Sequence, residues 1–355
     1  MTWEIALILA QDGITTGAVY VLLALGIVLV FLVTRVIFVP FGDVVGYSAL
    51  TLAALQLGKL PGTVWLVATL AAIATVMESV HLIRRGEIRR LPRALCLFAG
   101  LPLASILPVV LLAGHRLPDW LAIGLTIGLV LSIAPLLYRI AFLPLADASV
   151  LVLLMVAVAL HFAMSGLALL YFGPEGFRTR SLTNTVFEIG PLSLSAQSLL
   201  IVAASIVFSF LLFLFFERTL TGRALRATSV NRVGARLMGI RPATTGAIAF
   251  LLASALASVS GILIGPVTTF YYDSGFLIGL KAFVGAIIGG LVSYPLAALG
   301  AVLVGLLEAY AAFWSSTFKE VIVFGALIPI LVWRSVIAGA AVSEETEEEE
   351  REAAT

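Results

Sequence analysis

Few side chains in this sequence have chemistry to offer, and most of them interrupt apolar runs. Lys281 and Glu308 lie in two such runs, on either side of Ser293-Tyr294-Pro295. Lys281 precedes Tyr294 by 13 residues and Glu308 follows it by 14. At about 1.5 Å per helical residue, both sit roughly 20 Å from a turn at Tyr294, at one depth. An ion pair that joins two antiparallel helices is expected, and a place in a solute path is the alternative. Asp43 stands beside Gly42 and Gly46, where a broken helix would expose backbone groups able to hold a zwitterion. A helix-end cap is the competing reading. Tyr271, Tyr272 and Asp273 read as interfacial residues or as the mouth of a path. Glu78 and His81, three residues apart, read as snorkelling or locally paired. His161 reads as a satisfied core histidine.

Composition says what must position these residues. The chain has 355 residues, 61% hydrophobic and 12% charged, with a mean hydropathy of +1.14. Soluble domains average roughly 25% charged residues, so the expected solvent is lipid. Net charge is +1, which gives no pointer to nucleic acid. Cys96 is the single cysteine and the three histidines are scattered, which excludes an internal disulfide and a cysteine-built metal site. No metal site is expected. The first residues lack a basic stretch and a cleavage signal, so they read as a retained helix.

A crossing helix needs about 20 apolar residues. Apolar runs predict eleven spans, near 5–33, 37–57, 63–83, 94–113, 119–138, 149–172, 197–216, 244–268, 279–292, 296–314 and 321–338. The fold class is all-α, a polytopic bundle of about ten or eleven crossing helices over residues 1–342. Gly42 and Gly46 are the expected break in the second span, and Ser293-Tyr294-Pro295 the turn after the ninth. Residues 173–196 read as an external loop, and 343–355 (SEETEEEEREAAT) as a solvated, disordered acidic tail. Alternation places 15 of the 21 Lys and Arg on one side and five on the other, with Lys281 in a span. The positive-inside rule makes the richer side cytoplasmic, with the N-terminus outside and the C-terminus inside.

Six arginines fall in the 217–243 loop: Arg218, Arg223, Arg226, Arg232, Arg236 and Arg241. Apolar residues recur among them, and Gly239 ends the run. The pattern predicts a short amphipathic helix across the cytoplasmic face. It suits another protein, and equally a topogenic loop or a helix lying on anionic lipid.

This stretch resembles the coupling loop in permease subunits of ABC importers for branched-chain amino acids. The matching residues are Gly222-Arg223-Ala224, Arg226-Ala227 and Leu237-Met238-Gly239-Ile240. Ser260 to Leu263, Gly275-Phe276, Gly279 to Phe283, and Gly305 to Ala309 continue the likeness. Phe41-Gly42-Asp43 is similar to the family's front element, although Val39 and Pro40 replace its polar run. Residues 84–137 have no counterpart and read as a two-helix insertion.

The resemblance implies a permease working by alternating access, in the plasma (inner) membrane of a prokaryote. Its implied partners are a second permease subunit, identical or different, two cytoplasmic ATPase subunits and an extracytoplasmic solute-binding protein. ATP and magnesium would sit on the ATPases, because this chain has no G-x-x-x-x-G-K-[ST] loop and binds no cofactor of its own. Gly222, Arg223, Ala224, Arg226, Ala227, Leu237, Gly239 and Ile240 would couple to the ATPases. Gly42, Asp43, Tyr271, Tyr272 and Asp273 would line the path. The solute would be a branched-chain or similar apolar amino acid. A permease for urea, amides or sugars, or a stand-alone secondary transporter, is the alternative.

Overall fold

The computed structural model describes residues 3–115, 117–183, 185–189, 192–326, 328–330 and 332. The acidic tail lies outside them, as does the end of the eleventh expected span. Helix α1 (Trp3–Thr34) opens the chain, followed by α2 (Phe41–Gln56) and α3 (Thr63–Arg84). The composite span Ile88–Leu112 contains α4 (Leu91–Leu95), a π-helical turn and α5 (Leu101–Leu112). A second composite span, Asp119–Leu145, contains α6 (Asp119–Val130), α7 (Ile133–Leu137) and a π-helical turn at Tyr138–Phe142. Then come α8 (Val150–Phe172), the strands β1 (Val186–Ile189) and β2 (Leu192–Ser195), and α9 (Ala196–Arg218). Two short helices, α10 (Leu220–Val230) and α11 (Arg232–Leu237), lead to α12 (Pro242–Ile264). The chain continues through α13 (Ser274–Ile288), α14 (Tyr294–Trp314) and α15 (Lys319–Gly325).

Among the described residues, eight spans are long and apolar enough to cross a membrane. The expected second and ninth spans are the shorter α2, with 16 residues, and α13, with 15. The break before α2 falls at residues 35–40, not at Gly42 or Gly46. Arg35 takes a positive φ of 62°, and Pro40 at the N-cap has no N–H with which to continue a helix. Gly42 and Gly46 are helical. The turn after α13 is likewise earlier than expected. Gly290 and Leu291 carry φ of 73° and 58°, whereas Tyr294 and Pro295 already form the first turn of α14, where proline is favoured. The 173–196 loop contains an antiparallel hairpin that pairs Val186 with Ser195 and Phe187 with Leu194.

α1 is the centre of the bundle. It is apolar all round, the mark of a helix enclosed by protein, and is buried from Val19 to Val30 almost without interruption. It packs on α14, α12, α13 and α9. The closest approach is at Gly305, where an added Cβ would lie 2.4 Å from the Gly17 nitrogen and 2.5 Å from the Gly13 carbonyl oxygen. Small residues allow this approach in lipid, where close packing replaces hydrophobic drive. The Ile88–Leu112 span is peripheral, with 11% of its apolar window buried, whereas Asp119–Leu145 is 44% buried. The latter packs on α2 and α12 through α6 and α7.

The backbone contact at Gly305 makes a defined prediction. Gly305→Ala is expected to destabilise the purified protein by about 1–3 kcal/mol through overpacking. Gly124→Ala, where nothing lies within 4 Å of the new methyl, is expected to be neutral or stabilising by about 1 kcal/mol. Thermal melting in detergent compares the two, and equal losses would contradict the packing.

Candidate functional site: a basic end and two buried polar nodes

The arginine-rich stretch folds as two helices, where one was expected. Asn231 divides them: its extended backbone (φ −147°, ψ 104°) ends α10, and its side chain accepts from the Gly234 N–H at 2.8 Å to cap α11. Thr219 caps α10 in the same way, accepting from the Gly222 N–H at 2.9 Å. Gly239, at φ 82°, closes α11. α10 lies tightly on the end of α9, where a Cβ on Gly222 would stand 2.2 Å from the Phe215 carbonyl oxygen. Leu225 and Thr228 face inward, and so does Ala235 of α11. Outward stand Leu220, Val230, Leu237 and Met238, each more than 80% exposed; Ala227 is exposed as well, whereas Ala224 and Ile240 are half-buried. Arg226 pairs with Glu217 at 2.8 Å, and Arg223 donates to the Glu217 carbonyl. The surface is therefore apolar and basic at once.

Arg35, Arg226 and the Ser293–Pro295 start of α14 line one cavity, and Arg85, Arg139 and Arg241 line another. The ends of α1, α3 and α9 and the starts of α12 and α14 thus gather at one end of the bundle, the basic end. At the opposite end Phe177 pairs with Phe270, Gln11 donates to the Ser193 carbonyl, and Gln56 approaches Asp119.

The first polar node joins Asp43 to His161, and sequence spacing gave no sign of it. The His161 Nδ1–H donates to the Asp43 carboxylate, at 2.8 Å from Oδ2 and 3.0 Å from Oδ1. Both residues are buried, at 4% and 6% exposure, and Phe276 stacks on the imidazole at 4.2 Å. His161 is satisfied, as expected, but its partner is Asp43, 118 residues away. Asp43 also lies in the first turn of α2, where the helix dipole favours a negative charge. Gly42 meets α13 backbone to backbone: its Cβ would fall 2.1 Å from the Gly275 carbonyl oxygen. Phe38, Phe142, Phe250 and Tyr138 pack together near Phe41. Tyr271, Tyr272 and Asp273 immediately precede α13. Tyr271 is exposed and packs over Gly176, Tyr272 is half-buried, and Asp273 is exposed. None of the three touches the Asp43 carboxylate.

The second node holds Lys281, Glu308 and a third member that the sequence reading missed. Lys281 Nζ donates to Glu308 Oε1 at 2.5 Å and to Glu320 Oε1 at 2.9 Å. Tyr20 of α1 donates to Glu308 Oε2 at 2.6 Å. Lys319 stands 4.0 Å from both carboxylates, so the charges balance. Four helices, α1, α13, α14 and α15, converge on this node. Glu78, expected to snorkel or to pair locally, instead pairs with Arg139 of the π-helical turn that packs on α3.

The arrangement defines a class: a polytopic helical membrane protein with buried charge pairs inside and an exposed, apolar and basic surface at one end. Residues 9–332 match the family described as branched-chain amino acid transport system / permease component, and the chain belongs to that family. It is 32% identical over 203 residues to the high-affinity branched-chain amino acid transport system permease protein BraD of Pseudomonas aeruginosa, a match covering 55% of this chain and 66% of BraD. It is 30% identical over 205 residues to the permease protein LivH of Escherichia coli K12, covering 55% and 65%. The probable branched-chain amino acid transport permease protein LivH of Methanocaldococcus jannaschii is 28% identical over 225 residues, covering 61% and 69%. The chain thus spans just under two thirds of the length of the first two relatives. No solved structure matches it.

Removing one member of a buried pair leaves an uncompensated charge. His161→Ala is expected to cost about 3–5 kcal/mol. Asp43→Asn combined with His161→Ala is expected to cost less than His161→Ala alone, because no unpaired carboxylate remains. Melting of these two variants and of the unsubstituted protein checks the order; a double variant less stable than His161→Ala would contradict the pairing.

Proposed function

We propose that this chain is a transmembrane permease subunit of an ATP-binding-cassette importer for branched-chain or similar apolar amino acids. Membership of the permease family supports the transport role, and the names of BraD and LivH support the solute class. The observation that carries the coupling role is the outer face of α10 and α11, where Leu237 and Met238 are each 83% exposed beyond the bundle, among arginines. On this reading that face docks cytoplasmic ATPase subunits, with Gly222, Arg223, Ala224, Arg226, Ala227, Leu237, Gly239 and Ile240 forming or shaping the contact. ATP and magnesium are held by those subunits.

A second permease subunit completes the path, and an extracytoplasmic binding protein delivers the solute. The basic end faces the cytoplasm and the N-terminus lies outside, in line with the excess of arginine at that end. Gly42, Asp43 and the Tyr271–Asp273 segment belong to the moving boundary of the path: α2 and α13 meet there through backbone alone, so a small shift re-exposes the polar pair. ATPase closure shifts the equilibrium only by binding the two arrangements of α10 and α11 unequally.

Co-purification tests the reading. Leu237→Asp with Met238→Asp is expected to reduce bound ATPase subunits and ATP-driven leucine uptake at least about tenfold, as loss of an interface hot spot does, with the protein still folded in the membrane. Proton- or sodium-driven uptake by this chain alone in vesicles would overturn it.

A further inference from the structure

A cavity of about 480 Å³ opens at the basic end between the close of α3, the turn leading into α4, the π-helical turn after α4 and the start of α12. Five arginines and two carboxylates line it. Each carboxylate is already engaged: Glu87 with Arg90 at 2.7 Å, and Glu78 with Arg139. Arg85, Arg93 and Arg241 remain, and among the described residues no hydrogen bond or ion pair engages their guanidinium groups. Three exposed guanidinium groups around one hollow repel each other unless an anion lies between them. Guanidinium forks match phosphate oxygens in shape and charge.

The surroundings select the kind of phosphate. Leu97 lines the cavity, and the adjoining Ile88, Leu97 and Leu101 are 54–61% exposed. A polar hollow therefore passes directly into an apolar wall on the peripheral Ile88–Leu112 span. Soluble phosphate would cover none of that wall, and neither would a glutamate-rich peptide such as residues 343–355. A phosphate that carries acyl chains would cover it. Basic pockets between crossing helices bind such headgroups. We propose that this cavity is a binding site for an anionic phospholipid, with Arg85, Arg93 and Arg241 on the headgroup phosphate and the acyl chains along Leu97 and Leu101. Arg241 immediately precedes α12 and follows α11, so an occupied site ties the 84–98 segment to the stretch that carries α10 and α11.

The full chain in nanodiscs tests this. Arginine modification by phenylglyoxal, mapped by peptide mass spectrometry, is compared in phosphatidylglycerol and phosphatidylcholine discs. Arg85, Arg93 and Arg241 are expected to be protected at least about fivefold more in phosphatidylglycerol, beyond any change at Arg84 and Arg89 outside the cavity. Native mass spectrometry is expected to show Arg85→Gln/Arg93→Gln/Arg241→Gln losing bound phosphatidylglycerol about tenfold, with Arg84→Gln/Arg89→Gln retaining it. If the triple variant fails to fold, labelling of the unsubstituted chain still decides. Equal labelling in the two lipids overturns the proposal. So does equal protection by millimolar inorganic phosphate in phosphatidylcholine discs, which assigns the site to a soluble anion. Protection that disappears when residues 343–355 are deleted assigns it to the acidic tail and also overturns the proposal.

Discussion

Inside a bilayer a backbone N–H or C=O has no water to turn to, so every interruption of a helix must be enclosed by protein. Among the described residues, the breaks at 35–40 and 265–273 lead into the short helices α2 and α13, and protein encloses both. α1 lies at the centre because the 35–40 break follows directly from it. Val36, Phe38 and Phe41 are buried there, and Thr34 serves the Val36 N–H. The second break is satisfied by the loop beyond the membrane helices: Phe177 and Phe270 exchange backbone bonds at 2.8 Å, and the Thr179 N–H reaches the Gly265 carbonyl. Arg178 donates to the carbonyls of Pro266 and Val267. The 173–185 stretch therefore completes the fold as well as connecting it.

Both breaks end in helix starts, and those starts meet. α2 begins at Phe41 and α13 at Ser274, and Gly42 lies on Gly275 with no side chain between. Gly275 is roughly 20 Å along α13 from its end near the basic side, and Gly26, which touches Phe41, roughly 12 Å along α1. The meeting point is thus deep in a hydrocarbon core of about 30 Å. Two positive dipole ends brought together favour a negative charge, and Asp43 supplies it. His161 then offsets the cost of burying that carboxylate. The Lys281 node solves a different problem. It fastens α13, α14 and α15 to the centre through Tyr20, with hydrogen bonds on both carboxylates. Buried pairs of this kind add little net stability but penalise other packings.

The sequence was informative where neighbours along the chain are neighbours in space. Lys281 and Glu308 flank one short turn, so their meeting was expected from the order of the chain, although the turn at Gly290–Leu291 lies nearer Lys281 than a count from Tyr294 supposes. The helices followed from apolar runs, and the basic end from loop arginines. Asp43–His161, Glu78–Arg139 and Glu320 escaped because their partners are brought in by packing between distant helices, which no periodicity encodes. Asn231 splits the amphipathic stretch because its side chain caps a new helix, a local preference that the arginine pattern obscured. Glycine at positions 42 and 46 suggested a break, yet both are helical, and Gly42 serves close approach to α13. Pro40, with no N–H to give, was the stronger signal.

A physical route connects the basic end to the interior. α10 is pressed onto α9 at Gly222, with no room for a methyl group, and α10 also packs on α12. α12 in turn lies on α2, where Gly261 meets the Val45 carbonyl and Ser48, and Ser48 donates to the Ser258 carbonyl at 2.8 Å. α2 carries Asp43 and meets α13 at Gly275. The α9–α10, α12–α2 and α2–α13 contacts named here are backbone against backbone, or a small side chain against backbone, with no long side chain to absorb a displacement by changing rotamer. Close-packed interiors transmit strain for that reason. On the proposed reading, a push on the exposed face of α10 and α11 moves α12 and α2 together and reaches the Gly42–Gly275 contact, where two short helices begin.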